Sequence, residues 1–329
     1  MLNCAKPVAI KPGKMCNSIV GHSLPNVIMM SCITLSSKKR VCRENKPVNF
    51  IVPFKKAAKL QSFFDDNFYP IFICGVAGGG NSLLSSLLDQ RYLTAGYLNE
   101  SALAAPAGSV LRMESVASYG ALDRYWAAMF IPGNVTDREI HRSAIKLYRK
   151  ASHYPKLSNF IIDKAPNTHL VRAGRLRNAF ARSKFLMVFR DPVSHIEGLR
   201  RKWPVFAQAD LMEVCNFWET AHHIFLTETS DFAESVRSIA YERLVSHTDA
   251  VLDQLAQFCG LQPRIKPKKY RDRPNQPGKG LRNVVNGQVK VAPQASSDIE
   301  FCLSALECEM VQQRLFSIYE RLIHYADNK

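Results

Sequence analysis

Residues 69–88 read YPIFICGVAGGGNSLLSSLL, and this stretch decides the fold. Tyr69 to Cys74 is short, apolar and rich in β-formers, which predicts a buried strand. The turn Gly75-Val76-Ala77-Gly78-Gly79-Gly80 follows, and Asn81-Ser82 then open a helix with Leu83, Leu84, Leu87 and Leu88 on one face. Strand, glycine loop and helix together suit an anion. Glycines let backbone N–H groups converge, and the helix N-terminus adds partial positive charge. Gly75-x4-Gly80-Asn81-Ser82 has the spacing of the Walker A pattern GxxxxGK[ST], but Asn81 stands where a lysine would reach the outer phosphates. A glycine turn serving only close packing is the plainer alternative.

Outward from this stretch the chain alternates. Further short strands are expected at 160–162, 184–189 and 236–241. Helical periods fall at about 109–130, 136–152, 167–181, 192–202, 209–229, 247–259 and 297–325. Asp191 and Pro192 suit the cap and first turn of the 192–202 helix. Apolar strands separated by helices predict an α/β fold, a central parallel sheet flanked by helices as a three-layer sandwich. Ligands of such sheets bind beyond the carboxyl ends of the strands, where the glycine loop and Arg190 should meet.

The chain has 329 residues, 47% hydrophobic and 22% charged, enough to bury a full core without staples. No long apolar run suggests a membrane span. The net charge of +16 is uneven, since residues 1–59 hold eleven Lys/Arg and one acid, Glu44. The body is only mildly basic and shows no nucleic-acid-binding motif, so no nucleic-acid partner is expected. Two parts follow: a basic N-terminal arm at 1–60 and an α/β domain at 61–329. The acid-free, Ser-containing start of the arm resembles an organelle transit peptide; a disordered tail or a poor membrane anchor are alternatives. A cytoplasmic location is favoured, with organelle targeting by the arm as the alternative. The nine cysteines form no CxxC and read as buried free thiols, Cys302 and Cys308 being placed on the last helix. No metal-ligand spacing is present.

Three further stretches, with the glycine loop, resemble the sulfotransferases that use PAPS (3′-phosphoadenosine 5′-phosphosulfate). Asp163-Lys164-Ala165-Pro166-Asn167 is similar to that family's E-K-T-P-N segment. Lys184 to Pro192, KFLMVFRDP, is similar to its strand and R-D-P turn. Tyr241-Glu242-Arg243-Leu244, with Phe258-Cys259-Gly260-Leu261 after it, is similar to its Y-E-D-L and F-x-G-L. Order and spacing agree across about residues 69–261. The resemblance implies a P-loop nucleoside triphosphate hydrolase-like fold, with PAPS as donor and no metal.

It also implies roles. Gly78, Gly79, Gly80, Asn81 and Ser82 would cradle the 5′-phosphosulfate, and Arg190 would fork the 3′-phosphate. The family usually carries Arg or Lys at the position of Gly78, so Lys164 is the candidate to stabilise the leaving phosphate in its place. A serine usually stands at the position of Gly198, and Ser194, one helical turn earlier, is the candidate substitute. Glu100 is the only carboxylate between Leu93 and Ser101, and is the candidate base for the acceptor proton. Eight bases between Arg264 and Arg282 form a proline-rich loop that could cover the donor or an anionic glycan. Lys279 within it is the last candidate for the 3′-phosphate. The expected activity is sulfonate transfer from PAPS to a hydroxyl, with a carbohydrate favoured as acceptor. A relative that binds nucleotide without transfer, or a P-loop kinase, are the alternatives.

Overall fold

Tyr69–Cys74 (β1) is the middle of a five-stranded sheet, and every strand runs parallel to it. The computed structural model describes residues 68–154, 157–265, 282–285, 288–291 and 302–327. The basic arm at 1–60, Lys279 with most of the basic loop, and residues 297–301 of the last expected helix lie outside the described residues. The other strands are Gly96–Asn99 (β2), Phe160–Lys164 (β3), Lys184–Phe189 (β4) and Val236–Ala240 (β5). The spatial order is β2-β3-β1-β4-β5. The chain thus builds one side of β1 first and then crosses to the other. The crevice beyond the carboxyl end of β1 lies at this reversal.

The pleat sends alternate residues of β1 to opposite faces, and each face has its own core. Ile71 and Ile73 pack with Leu84, Leu88, Leu186, Val188 and Leu252. Phe72 and Cys74 pack with Phe185, Met187, Phe189, Trp218 and Phe225. The first face is covered by Asn81–Arg91 (α1), whose four leucines 83, 84, 87 and 88 are all buried. Truncating a fully buried leucine such as Leu84 or Leu88 to Ala costs about 2–5 kcal/mol.

Between β2 and β3 the chain makes three helices: Ser101–Ala104 (α2), Leu122–Ala128 (α3) and Asp137–Ala151 (α4). After β3 come Thr168–Val171 (α5) and Ala173–Ala179 (α6), and after β4 come Pro192–Lys202 (α7), Pro204–Ala207 (α8) and Leu211–Glu228 (α9). Tyr241–Ser246 (α10) and Thr248–Cys259 (α11) follow β5, and Ala305–Asp327 (α12) ends the described chain.

The departures from the expected elements have local causes. The helix expected at 109–130 is realised only as a 3₁₀ turn, Val116–Ser118, and α3. Ala121 is extended (φ −148°, ψ 155°) and separates the two. Arg112 bonds the carbonyl oxygens of Leu103 (2.7 Å) and Ala105 (2.9 Å), which fixes its segment as an irregular wall. The helix expected at 167–181 breaks at Arg172 (φ −117°, ψ 9°). Its buried guanidinium reaches the carbonyl oxygens of Met129 and Leu111, tying the 111–129 segment down.

Strand β2 was not expected. It is four residues long and starts at Gly96, where a Cβ would lie 2.3 Å from the Ala151 carbonyl oxygen. The last helix starts at Ala305, later than expected, so Cys302 precedes it. Glu197 of α7 accepts from the backbone N–H of Cys302 (3.0 Å) and of Leu303 (3.0 Å) and holds that turn. Cys308 is on α12, and Cys74, Cys215 and Cys259 are buried free thiols, whereas Cys302 is exposed. Arg282, expected in a loop, opens a short antiparallel hairpin, Arg282–Val285 (β6) with Gln288–Val291 (β7). Among the described residues no helix is long and apolar enough to cross a membrane.

Candidate active site

The carboxyl ends of the five parallel strands lie on one edge of the sheet, and each leads into a residue of interest. The glycine loop follows β1, Glu100 follows β2, Lys164 closes β3, Arg190 follows β4 and Tyr241 follows β5. The sheet therefore gathers, on one edge, residues spread over more than half of the chain.

The loop is held from behind. Gly75 (φ +144°) and Gly80 (φ +109°) adopt backbone that favours glycine, and neither has room for a Cβ. At Gly75 it would lie 2.3 Å from the Val188 carbonyl oxygen, and at Gly80 it would lie 2.6 Å from the Tyr241 ring. Asn167 donates its N–H to the Gly75 carbonyl (2.9 Å) and accepts at Oδ1 from the Ala77 N–H (2.8 Å). His195 of α7 bonds the Ala77 carbonyl through Nε2 (2.9 Å), while its Nδ1 accepts from the Trp218 indole N–H (3.0 Å). An indole can only donate, so His195 is neutral with its proton on Nε2. Burial pushes its pKa down to about 4, consistent with that state.

Asn81 is turned inward. Its Nδ2 donates to the Val76 carbonyl (2.9 Å), so its side chain braces the loop and offers no charge of the kind a Walker lysine provides. What the loop presents outward is backbone. Among the described residues, the N–H groups of Gly78, Gly80, Asn81 and Ser82 have no acceptor. The N–H of Gly79, one of the expected donors, instead bonds the Val76 carbonyl (3.1 Å). Four acceptor-free amides at a helix N-terminus suit a phosphosulfate.

Beside this cradle lies an ion pair. The Lys164 ammonium bonds Ser82 Oγ (3.0 Å) and Glu100 Oε1, and Lys164 is only 1% exposed. Glu100 Oε2 has no partner among the described residues and the side chain is 40% exposed, so one carboxylate oxygen faces outward. Glu100 (φ +57°) and Asn167 (φ +65°) are the non-glycine residues with positive φ among those described. Such strain is retained where surrounding structure imposes it, and both positions lie at the crevice. Asp163, the neighbour of Lys164 on β3, points the other way and accepts from the buried Tyr148 hydroxyl (2.8 Å).

On the opposite flank, the Arg190 guanidinium stacks 5.0 Å over the Tyr241 ring, the same ring that abuts Gly80. Tyr241 thereby links the loop to the arginine. Asp191 caps α7 by accepting from the Ser194 N–H (2.8 Å), and its own N–H donates to Glu242 (3.2 Å). Ser194 lies in that first turn. At Gly198, one turn on, a Cβ would meet nothing within 4 Å.

The structure therefore brings Gly78, Gly79, Gly80, Asn81, Ser82, Glu100 and Lys164 into one cluster, with Arg190 joined to it through Tyr241. The sequence reading did not single out Asn167, His195, Tyr241, Lys202 or Trp203 as site-forming. For Asn167 and Tyr241 the signal was available, since both lie inside the quoted motifs. Gly78 has φ +90°, so its backbone disfavours the basic side chain of other loops. A Cβ there would touch Trp203 at 3.6 Å. The Lys202 ammonium lies 4.3 Å over that Trp203 ring. A second cation, Lys202, thus reaches the loop through the Trp203 ring. A cavity of about 270 Å³ opens between these groups, bordered by Ala77, Glu100, Asn167, Lys202 and Trp203.

A model of the sulfotransferase family matches residues 70–264. No curated protein sequence matches the chain. Among solved structures, the chain is similar to a sulfotransferase of Mycobacterium tuberculosis H37Rv, with 12% identity, 79% of this chain and 80% of that one covered, and a TM-score of 0.40. It is also similar to a sulfotransferase of Alicyclobacillus acidocaldarius, at 12% identity, 78% and 94% coverage and a TM-score of 0.41. A third is the sulfotransferase domain from the curacin biosynthetic pathway, at 18% identity, 76% and 98% coverage and a TM-score of 0.37.

Proposed function

The chain belongs to the sulfotransferase family, and from that premise we propose that it transfers a sulfonate group from PAPS to the hydroxyl of an acceptor, with Glu100 as base and Lys164 as the buried cation. The observation that carries this reading is the Ser82–Lys164–Glu100 contact at the mouth of a loop with four acceptor-free amides. PAPS supplies the activated sulfonate. The amides of Gly78, Gly80, Asn81 and Ser82 hold the 5′-phosphosulfate, and Arg190 on Tyr241 holds the 3′-phosphate.

Glu100 Oε2 takes the acceptor's hydroxyl proton as the new S–O bond forms. The bond from sulfur to the bridging oxygen breaks, and adenosine 3′,5′-bisphosphate leaves. Negative charge then grows on that oxygen, and Lys164 sits on Ser82 at the helix N-terminus to meet it. In a water-poor crevice such a fixed cation is worth more than in solvent. Lys202 on Trp203 adds positive charge from the cavity side.

Glu100→Gln keeps the shape of the side chain and removes the base. Turnover with [³⁵S]PAPS should fall about 100-fold or more, with the affinity for 3′,5′-ADP changed less than about twofold. Unchanged turnover would remove Glu100 from the reaction.

A further inference from the structure

A second cavity, of about 470 Å³, lies at β5 and shares no lining residue with the cavity at Glu100. Strand β5 ends the sheet, with β4 on its inner side. Successive residues of a strand point to opposite faces. Val236 packs with the Phe72 face and Ile239 with the Ile71 face, so Ser238 leaves β5 on the first side and Arg237 on the second. Both line the cavity, which therefore wraps around the outer edge of the strand, between α11 and the end of α12.

The charge of this cavity is one-sided. Arg237 and Arg243 line it, and among the described residues no carboxylate does. The Arg237 guanidinium lies 4.1 Å over the Phe258 ring and donates from Nη1 to the Val236 carbonyl (2.8 Å). The ring fixes its plane, and among the described residues it makes no ion pair. A guanidinium is a fork of several N–H donors, so most of this one stays open to an oxyanion. The Lys184 ammonium lies 4.5 Å over the same ring and adds positive charge. Glu234, the acid that acts on Lys184, pairs with Arg177 (3.6 Å).

Ser238 is an independent sign. It is 7% exposed, and its Oγ has no hydrogen-bond partner among the described residues. An unpaired buried hydroxyl costs folding free energy, and native proteins satisfy nearly all such groups. The remaining walls include Val251, Leu255 and Ile323, which are apolar. Apolar walls with a few fixed polar groups, at this volume, are the usual form of a small-molecule site.

We propose that this cavity binds a small amphipathic oxyanion with polar groups at both ends. Its anionic head forks onto Arg237, its apolar body lies against Val251, Leu255 and Ile323, and a hydrogen-bonding group at its far end meets Ser238 Oγ. The two polar points lie on opposite sides of one strand, so a ligand that meets both must cross the strand edge. The site does not depend on the sulfonate-transfer reading.

The test is calorimetric titration of the full chain with 6-hydroxy-2-naphthoate, 6-hydroxy-2-naphthalenesulfonate, their two analogues without the hydroxyl, and 2-naphthol as the neutral control. At least one hydroxylated anion should bind about tenfold or more tightly than 2-naphthol, and the tighter of the two identifies the head group. Arg237→Ala should weaken that anion about tenfold or more. Ser238→Ala should weaken it about threefold or more, and weaken its analogue without the hydroxyl less than about twofold. Gln254→Trp, at an exposed rim position of α11, should block the cavity without removing charge, and reads the site even if Arg237→Ala does not fold. Titrations with and without saturating 3′,5′-ADP should agree, since the crevice is separate. Anions that bind no more tightly than 2-naphthol, affinities unchanged by Arg237→Ala or by Gln254→Trp, or displacement by 3′,5′-ADP would each overturn the proposal. Equal effects of Ser238→Ala on the hydroxylated anion and its analogue would overturn the two-ended ligand.

Discussion

The two halves of the crevice are built differently. The half proposed to hold the donor is made of backbone at strand ends. The loop amides, the Asn167 clamp and the His195 brace are fixed by the order of the parallel strands. The acceptor half is made of side chains on short, irregular pieces: a four-residue helix, a three-residue 3₁₀ turn and a seven-residue helix. These are anchored through Arg172 and Arg112 rather than through the sheet. The difference shows how one fold can keep its donor and change its acceptor. In the proposed reading a phosphosulfate would be recognised by groups every residue carries, whereas an acceptor would be recognised by the particular side chains at 102–116 and 203–206.

The sharpest way to break this division is at Lys164, which touches both halves. Lys164→Met keeps the bulk and removes the charge. It should reduce turnover about 100- to 1,000-fold, in the range seen when one transition-state donor is removed. The affinity for 3′,5′-ADP should change only a few-fold, by calorimetry. Equal losses in both would make Lys164 a donor-binding residue only.

Arg190→Ala tests the donor half alone. Charge-assisted hydrogen bonds contribute about 1.5–3 kcal/mol, so 3′,5′-ADP should bind about 10- to 100-fold more weakly. The affinity for 5′-AMP, which lacks the 3′-phosphate, should be unchanged. A matching loss for 5′-AMP would move Arg190 away from the 3′-phosphate.

The brace behind the loop has a pH signature. Burial holds His195 at about 4, against roughly 6.5 in an unfolded chain. The nearby Arg190 charge also lowers it, while the Ala77 bond and Asp191 raise it. The folded state therefore refuses a proton that the unfolded state accepts. This contribution to stability is intact above about pH 6.5 and is lost progressively as pH falls toward 4, by about 3 kcal/mol in all. His222, packed on Trp218 and held at about 3, adds with the same sign. Urea midpoints between pH 7 and 4 should fall more steeply for the unaltered chain than for His195→Gln. Equal slopes would mean that the brace does not titrate.

The smallest expected effect is at Gly198. A side chain there meets nothing within 4 Å, so Gly198→Ser should fold normally and tighten 3′,5′-ADP binding a few-fold. No change would leave Ser194 as the hydroxyl that serves the first turn of α7.

The loop side of the crevice was readable in the sequence because its signals are local. Gly75, Gly78, Gly79 and Gly80 follow an apolar run, Asp191-Pro192 marks a helix start, and Lys164 lies in a recognisable segment. The sheet followed from apolar strands alternating with helices. Strand β2 was not readable, because Gly96-Tyr97-Leu98-Asn99 is short, begins with glycine and lies at the edge of the sheet beside β3. The break at Arg172 was hidden because a buried guanidinium serving distant carbonyls looks, in sequence, like a solvated arginine on a helix. Lys202 and Trp203 were missed for a related reason. Trp203 lies against Gly78, which is 125 positions earlier in the chain, and Lys202 lies over the Trp203 ring.

The most direct measurement is thermal stabilisation by 3′,5′-ADP, beside 5′-AMP and ATP with magnesium. At about 100 times its dissociation constant a ligand adds roughly 2.7 kcal/mol, which for a domain of this size is about 5–10 °C. The expected result is a shift of that size with 3′,5′-ADP and much smaller shifts with the other two. No shift with 3′,5′-ADP, or an equal shift with ATP and magnesium, would contradict a donor site built from this loop and Arg190.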